Sequence, residues 1–159
     1  MQFFRHGAPR TAGEWRRAAA LAAGDTAALL VFAAIGRSSH GEAAGLDAAL
    51  QVAGTAAPFI AGWFLVAPAL GAYGRATAGV RPMLARTAIC WLAAWPVSLL
   101  LRALALQRGI PLSFALVTFV TVLFILGVWR GLFAWLAARA SGESEREIDG
   151  NQPVPDPPR

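Results

Sequence analysis

The sequence predicts an all-α integral membrane protein, a four-helix bundle with both termini in the cytoplasm. First, 57% of its 159 residues are hydrophobic and only 14% are charged, whereas about 25% are charged in an ordinary soluble domain. Second, the mean hydropathy is +0.52. Third, the apolar residues form long blocks. An outer-membrane barrel is excluded, because its strands would be alternating segments of about 10 residues.

Four apolar blocks are each about as long as the 20 residues that a helix needs to cross a bilayer core. Inside lipid the backbone must satisfy its own hydrogen bonds, so helix is the expected state of all four. The second and fourth blocks carry no charge, while the first contains Asp25 and the third contains Arg86 and Arg102. The predicted helices are residues 18–35, 52–73, 85–106 and 110–129.

The first block is interpreted as a retained helix and not as a signal peptide. Asp25 interrupts the apolar region, and the apolar run continues through Phe32 to a spanning length. The predicted organisation is therefore a flexible arm over residues 1–15 and a transmembrane domain over residues 16–139. Residues 140–159 are acidic and rich in proline, and they are expected to be disordered.

Prolines and small residues give expectations about helix shape and packing. Pro58, Pro68 and Pro96 are placed inside predicted helices and are expected to bend them, because proline removes a backbone donor. Small residues spaced four apart allow close helix packing in lipid, so they indicate either a seam between the first two helices or a chance pattern in an alanine-rich chain. These residues are Ala19, Ala20, Ala23, Gly24, Ala27, Ala28, Ala53, Ala57 and Ala61.

The distribution of arginine predicts the topology. All 14 cationic residues are arginines, and most flank the predicted helices on the side of the two termini, as the positive-inside rule requires of cytoplasmic flanks. Only Arg37, Arg102 and Arg108 lie on the other side. Trp15, Trp129 and Trp135 are interpreted as anchors at the membrane–water interfaces.

The basic balance does not indicate nucleic-acid binding. The formal net charge is +5 and the pI is about 11.2, but the arginines lie at the ends of apolar blocks and form no patch with interleaved aromatics. The expected surroundings are the lipid bilayer, with a homo-oligomer or a larger membrane complex as the expected assembly. The predicted location is a bacterial inner (plasma) membrane, as a multi-pass protein.

Asp25 is the first candidate functional residue, because an ionised carboxylate near the middle of a membrane helix costs about 2.5–3.5 kcal/mol. It therefore needs a partner or a proton. Helix depth, at a rise of about 1.5 Å per residue, favours Arg86, Arg130 or neutral donors and disfavours Arg102. It is interpreted as a proton or cation site or as a polar clamp between helices. The neutral donors considered are Thr118, Thr121, Trp91 and Trp95.

A second candidate is a polar cluster on the predicted extracytoplasmic face. It is interpreted as a helix cap and interface loop, or as a contact for an anion, a lipid headgroup or an acidic partner. A metal site is the weakest interpretation, because the only other histidine, His6, lies across the predicted membrane. The cluster consists of Arg37, Ser39, His40, Glu42, Arg102 and Arg108.

No catalytic signature is present in the sequence. It lacks a nucleophile elbow, a phosphate-binding glycine loop, paired histidines and a Cys-x-x-Cys pair, and Cys90 is its single cysteine. We therefore expect no enzyme activity, no catalytic residue, no metal and no cofactor.

An ordered series of motifs over about residues 18–135 resembles a bacterial membrane family known as domain of unknown function 3054. The resemblance implies a four-helix integral membrane protein and supplies no activity and no functional residues. The motifs are Gly24-Asp25, Gly36–Glu42, Thr55–Phe59, Trp63, Pro68, Arg86-Thr87, Trp91–Pro96, Leu101-Arg102, Arg108–Pro111 and Ser113-Phe114.

Three functional hypotheses follow. The leading one is a small transport- or permeation-related protein in which Asp25 binds a proton or cation, acting as a homo-oligomer because one chain leaves little room for a pathway. The alternative is an accessory or assembly subunit of a larger membrane complex. A membrane enzyme acting on lipid-linked anionic substrates through Arg37 and His40 is less favoured.

Overall fold

The protein is a bundle of four helices, each long and apolar enough to span a membrane, which confirms the predicted all-α fold. The computed structural model describes residues 11–38, 45–74, 77 and 79–150, with side chains except at residues 38 and 143–150. Within these ranges no residue is in a strand. The helices are α1 (Ala12–Ser38), α2 (Leu46–Val66), α3 (Val80–Leu106) and α4 (Leu112–Gly150).

Helix α1 begins six residues before the predicted start because a polar cap defines its first turn. The backbone N–H of Glu14 donates to the Thr11 hydroxyl over 3.3 Å, and the Glu14 carboxylate accepts from the Thr11 backbone N–H over 2.8 Å. This reciprocal pair is a capping box. Residues 12–15, expected in a flexible arm, are therefore helical, and residues 1–10 lie outside the described range.

Helix α2 ends seven residues before the predicted boundary at residue 73. The last helical residue is Val66, and Pro68 follows the cap residue Ala67. Proline has no backbone N–H and constrains the residue before it, so a helix commonly ends there. Gly71 then adopts a positive φ of 75°, which turns the chain away from the helix axis. Pro68 thus lies in a turn, and the expectation that it is inside a helix is wrong.

Helix α4 continues to Gly150, beyond the predicted end at residue 129. The first half of the segment expected to be disordered, residues 140–150, is therefore helical. No proline occurs between α4's first residue and Pro153, so nothing in that stretch blocks the backbone hydrogen bonds of the helix. Residues 151–159, which hold the tail's four prolines, lie outside the described range.

The helices form a closed ring around a filled centre. Each packs against its neighbour in the chain and α4 packs against α1, whereas the two diagonal pairs make no close backbone contact within the described residues. Large aromatic side chains occupy the middle, including Phe59, Trp63 and Trp91 with no exposed surface. Large apolar residues also cover the outside, such as Leu65 and Phe124 at 65% and 70% exposure, as expected of a surface that faces lipid.

The predicted seam of alanines between α1 and α2 is not formed as expected. Ala53, Ala57 and Ala61 are exposed on the outer surface of α2, and Ala23 is exposed on α1. Close packing occurs at other small residues. A Cβ built on Gly62 would lie 2.2 Å from Oγ of Ser98, where α2 meets α3.

Candidate functional site: a buried ion pair in the bundle

The centre of the site is an ion pair between Asp25 on α1 and Arg130 on α4. Nε of Arg130 donates to Oδ1 of Asp25 over 2.8 Å, and Nη2 donates to Oδ2 over 2.6 Å. Both side chains are fully buried, with 0% exposure. Two parallel hydrogen bonds give the bidentate geometry in which guanidinium binds carboxylate most strongly.

Two aromatic side chains complete the environment of the pair. Nε1 of Trp63 donates to Oδ2 of Asp25 over 3.0 Å, and the Tyr73 hydroxyl donates to the same oxygen over 2.7 Å. The guanidinium carbon of Arg130 lies 5.1 Å from the Trp63 ring and 5.0 Å from the Tyr73 ring, within cation–π distance. The carboxylate thus accepts four hydrogen bonds, which compensate for its removal from water.

Arg130 also links the pair to the rest of the bundle. Its Nη1 donates to the backbone oxygen of Ala72 over 3.1 Å and lies 3.9 Å from the sulfur of Met83 on α3. Together with Trp63 on α2, these contacts bring all four helices and one loop to a single charge pair. A change in the charge of Asp25 would therefore alter contacts throughout the bundle.

The loop between α2 and α3, residues 67–79, is held in place by arginines from α1, α3 and α4. We call it the α2–α3 loop; residues 75, 76 and 78 of it lie outside the described range. Its backbone oxygens need partners because the surroundings are largely apolar. The bonds run from Arg17 to Gly74 (3.3 Å) and Thr77 (3.0 Å), from Arg86 to Leu70 (3.1 Å), and from Arg130 to Ala72 (3.1 Å).

Tyr73 belongs to this loop and is affected by both members of the pair. Burial raises the pKa of the Tyr73 phenol above its ordinary value, and the charge of Asp25 and its hydrogen bond raise it further. The positive charge of Arg130 acts in the opposite direction and is outweighed. The phenol therefore stays protonated at neutral pH and remains a donor to Asp25.

Gly24, the residue before Asp25, allows α4 to approach α1 closely. A Cβ built at Gly24 would lie 1.8 Å from an indole carbon of Trp129, so no larger residue fits there. Trp129 precedes Arg130, and its indole packs over Gly24 and against Phe133, at 5.8 Å between ring centres. Trp129 is therefore a packing residue in the α1–α4 contact, and its role as an interface anchor stays a prediction.

Among the partners predicted for Asp25, the structure brings only Arg130 to it. Arg86 donates to Leu70 in the loop instead. Thr118 and Thr121 precede Arg130 by twelve and nine residues on α4, which places them about 18 and 14 Å along the helix, too far to reach. Trp91 and Trp95 donate to backbone oxygens of α4, over 3.0 and 3.1 Å.

The site also contains two residues that the sequence interpretation missed, Trp63 and Tyr73. Tyr73 is the only tyrosine of the chain, but the predicted second helix placed it at a helix end, where nothing indicated contact with Asp25. Trp63 lies near the middle of an uncharged block. Its position on the inner face could have been found only by assigning the helix faces, which requires the packing.

The predicted polar cluster lies at the opposite end of the bundle, and only part of it is described. Ser39, His40 and Glu42 lie outside the described residues. Arg37 at the end of α1 contacts Gln51 of α2. Arg102 and Arg108 lie at the end of α3 and just beyond it. Among the described residues, no group of three His, Cys, Asp or Glu side chains is arranged to hold a metal ion.

Comparison with known proteins identifies a family whose model matches the membrane portion of the chain. The family model described as Protein of unknown function (DUF3054) matches residues 22–133. This range includes both members of the ion pair, Asp25 and Arg130, and both aromatic residues that contact it. No curated protein and no solved structure matches the chain.

Proposed function

The chain belongs to the family described as Protein of unknown function (DUF3054), a description that names no activity, and we propose a function from its central ion pair. The protein is a small transport- or permeation-related membrane protein in which Asp25 is a proton site. The Asp25–Arg130 ion pair holds the helices together, and protonation of Asp25 breaks this pair. The observation that carries this proposal is the meeting of four helices and the α2–α3 loop at one ion pair.

Asp25 is better suited to bind a proton than a metal cation, because its carboxylate oxygens already accept four hydrogen bonds. Arg130 already supplies one positive charge in bidentate geometry, and Trp63 and Tyr73 occupy the remaining space at Oδ2. A proton needs no further coordination sites. Protonation would remove the charge that attracts Arg130 and leave its guanidinium buried without a counter-ion, a state that costs about 3–5 kcal/mol when one partner of a buried pair is removed.

The presence of a buried ion pair inside the bundle also supports a role beyond stability. Well-packed apolar residues often replace such a pair without loss of stability, and ionisable residues inside membrane segments commonly mark ion or proton pathways. Large aromatic side chains with no exposed surface fill the centre of the bundle. The helices must therefore move, or a second copy must take part, for anything to pass.

Proton flux into vesicles tests the proposal. The protein is reconstituted into liposomes that contain a pH-sensitive dye, and the decay of an imposed pH gradient is measured. We expect the wild type to dissipate the gradient faster than empty liposomes. The variant Asp25→Asn/Arg130→Gln, which removes both charges together and so avoids an unpaired one, should return the rate to that of empty liposomes.

The matched control is Asp47→Asn/Arg81→Gln, which removes one exposed carboxylate and one exposed arginine and should keep the wild-type rate. Equal flux in the wild type and in the Asp25→Asn/Arg130→Gln variant would disprove the proposed role of the pair. A wild-type rate equal to that of empty liposomes would also contradict it.

A second candidate function, an accessory or assembly subunit, is favoured by one observation. Ala53, Ala57 and Ala61 form an exposed row of small side chains on the outer face of α2, and small residues allow another transmembrane helix to approach closely. Ala57→Leu should then abolish co-purification with a membrane partner, while Ala93→Leu, at an exposed alanine of α3, should not. Co-purification that survives Ala57→Leu would count against this function.

The setting of both functions is part of the proposal. We place the protein in a bacterial inner membrane with both termini in the cytoplasm, and we assign it no enzymatic reaction. A membrane enzyme acting on lipid-linked anionic substrates is less favoured, because the sequence carries no catalytic signature.

A further inference from the structure

We propose that Arg102 and Arg108 form a binding site for the phosphate of an anionic phospholipid. The site lies at the end of the bundle where α3 ends and α4 begins, the opposite end from the α2–α3 loop. It does not depend on the function proposed for Asp25.

The two arginines lie side by side at the end of α3, and no described acidic side chain neutralises them. The backbone N–H of Arg108 donates to the backbone oxygen of Ala103, the residue after Arg102, over 3.4 Å. Within the described residues neither guanidinium has a hydrogen bond or ion pair, although a guanidinium carries five N–H donors. Asp47 is the carboxylate described at this end, and it is exposed in the first turn of α2. Two adjacent cations with unused donors are a suitable site for a phosphate group.

The fold positions these two residues from two directions. The guanidinium carbon of Arg102 lies 4.6 Å from the centre of the Phe114 ring on α4, a cation–π contact that fixes this half-buried side chain beside the next helix. Gln107 ends α3 in the left-handed conformation, with φ of 53°, and its N–H donates to Ala103. This turn brings Arg108 back beside the last turn of α3, where it is exposed.

The surroundings favour a lipid over a free anion. Exposed leucines occur on both helices at the depth of the arginines and toward the middle of the apolar segments, the region of the acyl chains of a lipid. A phosphate held by the two arginines would be at the membrane–water boundary, the depth of lipid headgroups. The leucines are Leu100, Leu104 and Leu106 on α3 and Leu112 and Leu116 on α4, all 40–73% exposed.

Binding of phosphatidylglycerol to the full-length protein, measured by native mass spectrometry over a lipid titration, tests the site. A basic residue near a charged headgroup strengthens binding about fivefold. Arg108→Gln should therefore weaken phosphatidylglycerol binding about fivefold, and Arg102→Gln/Arg108→Gln about 30-fold. Binding of phosphatidylcholine should change little. Arg108 is exposed and makes no hydrogen bond through its side chain, so the single variant keeps the fold.

The matched control is Arg81→Gln, an exposed arginine at the other end of α3, which should leave phosphatidylglycerol binding unchanged. Unchanged binding in the Arg102→Gln/Arg108→Gln variant would overturn the site. Equal weakening by Arg81→Gln would overturn it as well, since it would show a general attraction to positive charge. Inorganic phosphate is the competing probe, and displacement of the lipid by equimolar phosphate would assign the arginines to a free anion instead.

Discussion

Asp25 shows how a charged side chain can be accommodated in an apolar interior although its burial costs free energy. Its carboxylate is fully buried, yet Arg130 neutralises its charge and two aromatic donors occupy its second oxygen. The stability of each group depends on the other, because an unpaired charge in this position has no access to water. Substitutions at this site are therefore best made in pairs.

Tyr73 should titrate abnormally in the folded protein. Its pKa is raised mainly by burial and further by Asp25, so the folded chain keeps the proton as the pH rises through 10, where a free tyrosine loses it. Because Tyr73 is the only tyrosine, tyrosinate absorbance reports this one residue. We expect no tyrosinate signal near pH 10 in the native protein and a normal titration in the unfolded chain.

The same shift makes the free energy of unfolding depend on pH. Above about pH 10 the unfolded chain releases the phenol proton and the folded chain retains it, so the contribution of Tyr73 to stability is complete below pH 10 and falls as the pH rises further. Tyr73→Phe should remove this part of the alkaline dependence. A native titration near pH 10 would contradict the buried position of the phenol.

Gly24 should tolerate no larger residue, because the Trp129 indole already fills the space beside it. Gly24→Ala would place its methyl carbon 1.8 Å from the Trp129 indole, and overpacking of this kind typically costs about 1–3 kcal/mol. Gly54→Ala is the control, since nothing lies within 4 Å of a Cβ there. Thermal unfolding in detergent should show a lower midpoint for Gly24→Ala only; equal midpoints would disprove the close α1–α4 contact.

At the level of elements, the α2–α3 loop depends on the helices around it more than on its own sequence. It contains a proline, two positive-φ glycines and little regular structure, and its backbone oxygens are bound by three arginines from three helices. The arginines at this end of the bundle therefore bind the backbone of the loop, in addition to favouring the predicted topology.

Removal of the arginine contacts should loosen the loop. In Arg17→Gln/Arg86→Gln, the backbone oxygens of Leu70 and Gly74 lose charge-assisted donors, each worth about 1.5–3 kcal/mol. Hydrogen exchange measured by mass spectrometry should therefore become faster in residues 67–74, while α4 remains protected. Arg81→Gln, at an exposed arginine of the same end, is the control. Unchanged exchange in the double variant would mean that the loop is held by packing alone.

At the level of the whole molecule, the distribution of charge separates the two ends of the bundle. The end that carries the termini holds Arg17, Arg86 and Arg130 in internal contacts, and the other end holds Arg102 and Arg108 with unused donors. Arginine in short flanks favours the cytoplasmic side. The internal use of three arginines does not alter this preference, since all three still lie toward the end of the termini.

Reporter fusions test the resulting topology. A reporter that is active only in the cytoplasm should be active when fused after residue 159 or after residue 78, and inactive when fused after residue 44 or after residue 109. We expect this pattern because arginines are more frequent in the segments near residues 78 and 159 than in those near residues 44 and 109. Activity at residues 44 and 109 instead would invert the orientation and place the lipid site of Arg102 and Arg108 in the cytoplasmic leaflet.

The number and type of the elements follow from the hydropathy of the chain alone. Hydropathy blocks of spanning length leave helix as the only state that satisfies the backbone in lipid, and the four helices follow. The sequence also identified Asp25 as a residue in need of a partner, because the cost of an unpaired charge in a membrane helix follows from its depth. Helix ends were less well predicted, since the caps at Thr11 and Pro68 act within one turn and hydropathy averages over many residues.

The contacts between side chains depend on how the helices pack and could not be found from the sequence. Arg86 and Arg130 were equally suitable partners by depth, and rotation of the helices about their axes chose between them: Arg130 faces the ring's centre, and Arg86 faces the loop. The same rotation brought Trp63 to Asp25 and turned Ala57 outward, while the turn after Pro68 brought Tyr73 to the same carboxylate. Depth follows from position along the chain, whereas the facing of a helix is set by packing against all its neighbours at once.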